Sequence, residues 1–210
     1  MHKNSIVMMT EKHPLQPFLP QNSKALFLGS FPPSRERWSM DFYYPNFQND
    51  MWRIFGLVFF DDAKHFEVDG KKVFDRTKII DFATSIGIAF YDTAAEVIRT
   101  KGTASDSDLK VVKQTDIKSL LRQLPECKSI VCTGGKSSEL CAEYFGIAQP
   151  KVGECVGFEV DGKAISLFRM PSSSRAYPLK LEKKALAYAK LFEQINLTCN
   201  RLCCNFFYIF

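Results

Sequence analysis

The chain has 210 residues, 46% of them hydrophobic and 24% charged, which excludes a wholly disordered protein and suffices for one good core. Its net charge of +5 admits a polyanionic partner without requiring one. All seven cysteines lie at or beyond Cys127, unlike the spread of a disulfide framework, so reduced thiols and a cytoplasmic location are expected. Cys199 and the Cys203–Cys204 pair lack a second cluster at ligand spacing, and read as small apolar residues rather than a metal site. Neither "MHKNSIVMMTEKH" nor "CCNFFYIF" has the apolar run of a signal peptide or a membrane span.

In chain order, "KALFLGSF" (Lys24 to Phe31) is the first strand candidate and ends in a Gly-Ser-Phe-Pro-Pro turn. "DMWRIFGLVF" follows as a helix, with Met51, Ile54, Phe55 and Val58 on one face. The stretch from Asp61 to Phe74 reads as an insertion, with a small exposed hairpin about Asp69-Gly70. "IGIAFYD" (Ile86 to Asp92) and "SIVCTGG" (Ser129 to Gly135) are further strands. Like the first, they are nearly continuous apolar runs, as expected of strands covered on both faces. Between them "TDIKSLLRQL" predicts a helix capped by Thr115, and "KSSELCAEYFG" one that stops at Gly146. "CVGFEVDGKAISLFRMP" predicts two strands turning at Asp161-Gly162. "LKLEKKALAYAKLFEQI" predicts the last helix, with Leu181, Ala185, Tyr188, Leu191, Phe192 and Ile195 along one side.

Strands alternating with helices imply a three-layer α/β/α sandwich with a mainly parallel sheet. No linker or repeat divides the chain, so a single domain over 1–210 is expected, its core at about 24–195. Ligands of such sheets bind beyond the carboxyl ends of the strands. The loops after Phe31, Asp92 and Met170 therefore share one rim.

Three stretches at such ends have chemical potential. "GSFPPS" (Gly29 to Ser34) is an ordinary strand-ending turn or a rigid loop presenting backbone amides to a planar ligand. In "CTGGKSSEL" the first glycine of a P-loop is replaced by Ile130, so a nucleotide cradle is missing. Gly134-Gly135-Lys136 still suits either a phosphate contact or a plain turn. "MPSSSRAY" sets three hydroxyls and Arg175 ahead of a helix, as a phosphate grip or a solvated loop.

Taken together, "LFLGSFPPS", "YYPNFQNDMWRIFG", "GIAFYDTAAEVIRTKGTASDSDL", "CTGGKSSEL" and "MPSSSRAY" resemble, in order and spacing, the uracil-DNA glycosylase superfamily. The resemblance covers about Leu26 to Glu182 and is strongest to the hypoxanthine-DNA glycosylase and mismatch-specific uracil-DNA glycosylase branches. It implies that Tyr44 stacks on an extrahelical base and that Asn49 orients the attacking water. Gly29, Ser30 and Phe31 would line the base pocket with their amides. Ser172, Ser173 and Ser174 match the loop that enters DNA; Arg175 would plug the stack or hold a phosphate, and Lys136 would join the DNA contacts. Asp92 matches an aspartate for which a structural, helix-capping role is expected. Trp52 is expected in the core.

The chain departs from the family at Pro33, Pro45, Asn46 and Phe47, the last two standing where the pattern has His-Pro. The Pro-Ser loop lacks a histidine and the first loop lacks the catalytic Asp or Asn that the resemblance to other branches would imply, which leaves Asn49 as the catalytic candidate. No cofactor, metal or iron–sulfur cluster is expected. The expected activity is hydrolysis of the N-glycosidic bond of hypoxanthine or uracil in DNA, by a monomer, with base flipping and water attack. The alternatives are a non-catalytic nucleic-acid-binding protein of the same fold and a small-molecule nucleosidase.

Overall fold

In chain order the strands are Thr10–Lys12 (β1), Ala25–Gly29 (β2), Ile88–Asp92 (β3), Ala94–Arg99 (β4), Leu109–Gln114 (β5), Ser129–Cys132 (β6), Cys155–Val160 (β7) and Lys163–Arg169 (β8). The helices are Met51–Phe60 (α1), Arg76–Ile86 (α2), Ile117–Arg122 (α3), Gly135–Phe145 (α4) and Leu181–Gln194 (α5). They come from a computed structural model that describes residues 10–100 and 108–197. Cys199, Cys203, Cys204, the C-terminal apolar segment and residues 101–107 lie outside the described residues.

Five strands form the central sheet in the order β3-β2-β6-β8-β7. β3, β2, β6 and β8 run parallel, and β7 returns antiparallel at the edge. The apolar runs are buried on both faces because consecutive side chains alternate between two helical layers. Phe27, Phe90 and Val131 face one cluster, with Trp52, Phe55, Tyr188 and Phe192 of α1 and α5. Leu26, Leu28, Ile130 and Cys132 face another, with Leu120, Leu121 and Cys141 of α3 and α4. This is the expected three-layer architecture.

Trp52 is completely buried and gives its indole N–H to the Tyr43 carbonyl (3.1 Å), so the same side chain fills the core and fixes the loop before α1. Asp161 and Gly162 both take left-handed backbone angles, the turn that the Asp-Gly dipeptide favours. Gly146 ends α4 in the same conformation, as expected.

Three local expectations are corrected. The cap of α3 is Asp116, whose carboxylate accepts from the Ser119 N–H (3.1 Å), whereas the Thr115 hydroxyl donates to the Asp92 carbonyl (2.7 Å). A carboxylate is the better partner for free N–H groups at a helix start. The Asp61–Phe74 insertion does turn as a small hairpin with an exposed tip at residues 69–72, closed by Val68 N–H to Val73 O (3.0 Å) and Asp75 N–H to Phe66 O (2.8 Å). Its base is not exposed, since Phe66 and Phe74 are buried. Glu67 pairs with Arg53 of α1. Finally, Asp92 precedes no helix; it leads into β4 and so caps nothing.

The sequence patterning also missed α2 and a second, antiparallel sheet in the order β1-β4-β5. β1 is polar and short, and β5 is half polar and partly exposed, so their apolar signal is weak. This sheet packs Ala94 and Val97 against Phe31 and carries the N-terminal segment to the rim of the central sheet.

Candidate functional site

The carboxyl ends of β2, β3, β6 and β8 are knitted together by backbone bonds. The Thr133 N–H donates to Leu28 O (3.1 Å), Thr93 N–H to Gly29 O (2.9 Å), Ala94 N–H to Ser30 O (3.1 Å) and Met170 N–H to Cys132 O (2.9 Å). Four loops thereby meet at one rim.

The Phe42–Asp50 loop joins them. Tyr44 has a positive φ of 51°, a conformation costly for a residue with a side chain and common where a site over-determines it. Its hydroxyl bonds the Thr133 hydroxyl at 3.0 Å, and its ring meets Trp52 and Phe90 edge to face. Burial, reinforced by the negative charge of Asp92, pushes the Tyr44 phenol well above its ordinary pKa, so it stays protonated. Tyr44 therefore offers a neutral aromatic ring and hydroxyl, not a base.

Asn49 accepts the Met51 N–H on its Oδ1 (2.9 Å), starting α1, and its Nδ2 meets no hydrogen-bond partner among the described residues. Its backbone forms a bridge with Ser174, and the Asp50 N–H donates to Ser173 O (2.8 Å). The loop carrying Tyr44 and Asn49 is thus clasped to the Ser172–Arg175 loop. Gly134 touches the other side of Ser172: a Cβ there would lie 3.8 Å from its hydroxyl oxygen.

These contacts redistribute the roles of the expected site residues. Ser173 is buried and presents no side chain to a ligand, whereas Ser174 and Arg175 are exposed. The Phe31 ring is buried against the second sheet under the Arg99 guanidinium, leaving only its backbone to face a ligand. Lys136 is engaged along its own helix by Glu139 (3.0 Å). The two residues that replace His-Pro serve the loop itself. Asn46 Oδ1 accepts the Gln48 N–H (2.9 Å), and the Phe47 ring packs on Phe74 beneath Arg53.

Sequence reasoning missed three ionisable residues. Asp50 and Lys184 form a buried ion pair (3.0 Å), and Lys184 also donates to Ser174 O (2.8 Å) while Arg175 Nε donates to the other Asp50 oxygen (3.0 Å). The signal for Lys184 was its spacing. It falls on the Leu181, Ala185, Tyr188 stripe, where a cation is out of place unless paired. His13 was the third: its Nε2 meets Asp92 Oδ2 at 2.8 Å, inside a cage of Phe31, Tyr43 and Tyr91. Nothing in its polar surroundings marks it.

Gly29 sits beside that pair, and a Cβ there would meet Asp92 Oδ1 at 2.4 Å. With the carboxylate held by His13, Gly29→Ala is expected to cost about 1–3 kcal/mol, as overpacking does. A thermal melt reads the loss; an unchanged midpoint would show that the carboxylate yields freely.

A cavity of about 300 Å³ lies elsewhere, between β8 and α5. Its lining combines apolar Phe168, Met170 and Leu191 with Lys183, Lys190 and Gln194, and carries no carboxylate, thiol or imidazole.

No protein-family profile and no curated protein matches the chain. Among solved structures, a protein from Methanosarcina acetivorans provisionally assigned as a uracil DNA glycosylase aligns with a TM-score of 0.60 at 19% identity. The alignment covers 90% of this chain and 99% of that one. The two share a fold. That uracil-DNA glycosylase-like fold places the rim just described at the carboxyl ends of its parallel strands, where open α/β sheets bind ligands. No described helix is long and apolar enough to cross a membrane.

Proposed function

We propose that this protein is a monofunctional DNA glycosylase that hydrolyses the N-glycosidic bond of a deaminated base, hypoxanthine or uracil, in DNA. The observation that carries the reading is the clasp of the Tyr44–Asp50 loop onto the Ser172–Arg175 loop, at the rim of a glycosylase-like fold. It joins an aromatic ring and a carboxamide to an exposed Ser-Arg tip. The target nucleotide leaves the stack at a cost of a few kcal/mol, least for a mispaired base. Tyr44 meets the extruded base, with the Gly29–Phe31 loop around it. Asn49 positions a water beneath the sugar as it gains positive charge, and the loop amides stabilise the charge growing on the departing base. Ser174 and Arg175, with Ser172 and Lys136, contact the DNA backbone. The protein works as a cytoplasmic monomer without a cofactor.

A second reading, a nucleic-acid-binding protein without catalysis, is favoured by one feature: the Asn49 carboxamide oxygen already serves the start of α1. Duplexes carrying a single uracil or hypoxanthine, incubated with the protein and treated with alkali, separate the two. Strand cleavage at the modified position is expected. Intact strands with salt-sensitive binding would establish the second reading instead, and neither cleavage nor binding would sink both.

A further inference from the structure

The cavity between β8 and α5 has no part in the chemistry above. Its floor is the outer end of the core, where Phe168, Met170 and Leu191 are buried. Leu186 and Ala187 line it while only half-buried, so the apolar stripe of α5 is wider than the core it covers. Val152, one of three exposed large apolar side chains among the described residues, adjoins Gly153 at the mouth. The polar part of the lining is Lys183, Lys190 and Gln194. At about 300 Å³ the cavity falls at the small end of ligand pockets, suited to a few side chains rather than to a cofactor.

We infer that this groove seats a segment of the chain itself, the run Phe206-Phe207-Tyr208-Ile209-Phe210. The described chain leaves α5 beside the groove. Gln194 lines it, and three residues later the Leu197 N–H closes on Phe192 O (2.9 Å). α5 has 14 residues and is therefore about 21 Å long. The stretch between Leu197 and Phe206 extends to about 30 Å, so the run reaches any part of the groove.

The chemistry of the two surfaces agrees. Four rings and an isoleucine in succession present apolar area that water disfavours, and the run carries no charged side chain to oppose the lysines. Lysine stems cover apolar surface while their ammonium groups lie over ring faces, so a lysine-lined apolar groove suits an aromatic occupant. A phosphate would use the lysines and leave the floor unfilled. The tether also raises the local concentration of the run to the order of mM, so a contact too weak to hold a separate peptide suffices. Met170 stands two residues before Ser172, and the seated run packs behind the strand end that carries the Ser172–Arg175 loop.

The segment holds its own probes, Cys203 and Cys204. Full-length protein with Cys155→Ser, which removes the exposed thiol of the described residues, receives a cysteine in the groove (Lys190→Cys) or outside it (Ala189→Cys, Glu193→Cys). Glutathione disulfide is the oxidant, reduced to two glutathione molecules as each pair of thiols closes. An intramolecular disulfide to Cys203 or Cys204, located by peptide mapping, is expected to form about tenfold faster in Lys190→Cys than in either outside variant. The rates are first corrected for the reactivity of each thiol towards a small alkylating reagent. Phe206→Ser/Phe207→Ser is expected to abolish that preference and, without the added cysteines, to lower the melting temperature by about 2–4 °C. In Leu186→Asp, which spoils the groove, the same pair of substitutions is expected to cost nothing further.

Equal rates at the three positions, or a loss from Phe206→Ser/Phe207→Ser that persists undiminished in Leu186→Asp, overturns the inference. Disulfides that form only between chains, and faster at higher protein concentration, overturn it in favour of a second copy's segment. If Leu186→Asp fails to fold, the cross-linking comparison decides alone. No readout involves excision, so failure of the glycosylase reading leaves the outcome unchanged.

Discussion

Asn49→Ala is expected to reduce single-turnover excision by about a hundredfold or more, the scale on which small misplacements of a reacting group are felt. Binding to a duplex that carries the modified base is expected to stay within a few-fold, because the exposed Ser174–Arg175 tip, proposed to grip the backbone, is untouched. The carboxamide cannot act as a strong base, so the contribution proposed for it is to hold a water where C1′ becomes electrophilic. Nδ2, without a partner among the described residues, is the part of the side chain free to do so.

The same substitution also removes an acceptor from the start of α1, at a cost of about 1 kcal/mol. Asn49→Ser separates the two effects. A short hydroxyl can still accept the Met51 N–H, but it cannot present a carboxamide to a water. Stability is therefore expected to return in Asn49→Ser while excision does not. If Asn49→Ala turns over at the wild-type rate, Asn49 is only a helix-starting residue.

The parallel sheet was legible in the sequence because β2, β3 and β6 are unbroken apolar runs, a signal that does not depend on partners. Tyr44 and Asn49 were legible as a local cluster of amides and rings in an otherwise regular chain. His13, Asp50 and Lys184 were not, because each has meaning only through a partner distant in sequence. His13 reaches Asp92 through a polar strand whose pairing with β4 has no periodic signature. The odd letters Asn46 and Phe47 drew attention as departures, and proved to hold the loop through an Asx turn and a tilted ring contact with Phe74. A functional loop and a self-supporting loop use the same residue types, and only the contacts distinguish them.

Lys184→Met is expected to destabilise the protein by about 3–5 kcal/mol, the cost of breaking a buried ion pair from one side. For a chain of this length that corresponds to a melting temperature lower by roughly 6–20 °C. The reason is what remains behind. Asp50 is almost fully buried at the start of α1, and without Lys184 its carboxylate keeps only the half-exposed Arg175. The Ser174 carbonyl loses a donor at the same time. Making Asp50 neutral as well removes the stranded charge, so Asp50→Asn/Lys184→Met is expected to melt above Lys184→Met alone. Additive losses in the double variant would mean that the two side chains act independently and that the pair does not tie α5 to the Ser172–Arg175 loop. Non-additive losses, with excision reduced in Lys184→Met well below its own melting transition, would show that the buried pair also sets the geometry of the clasp.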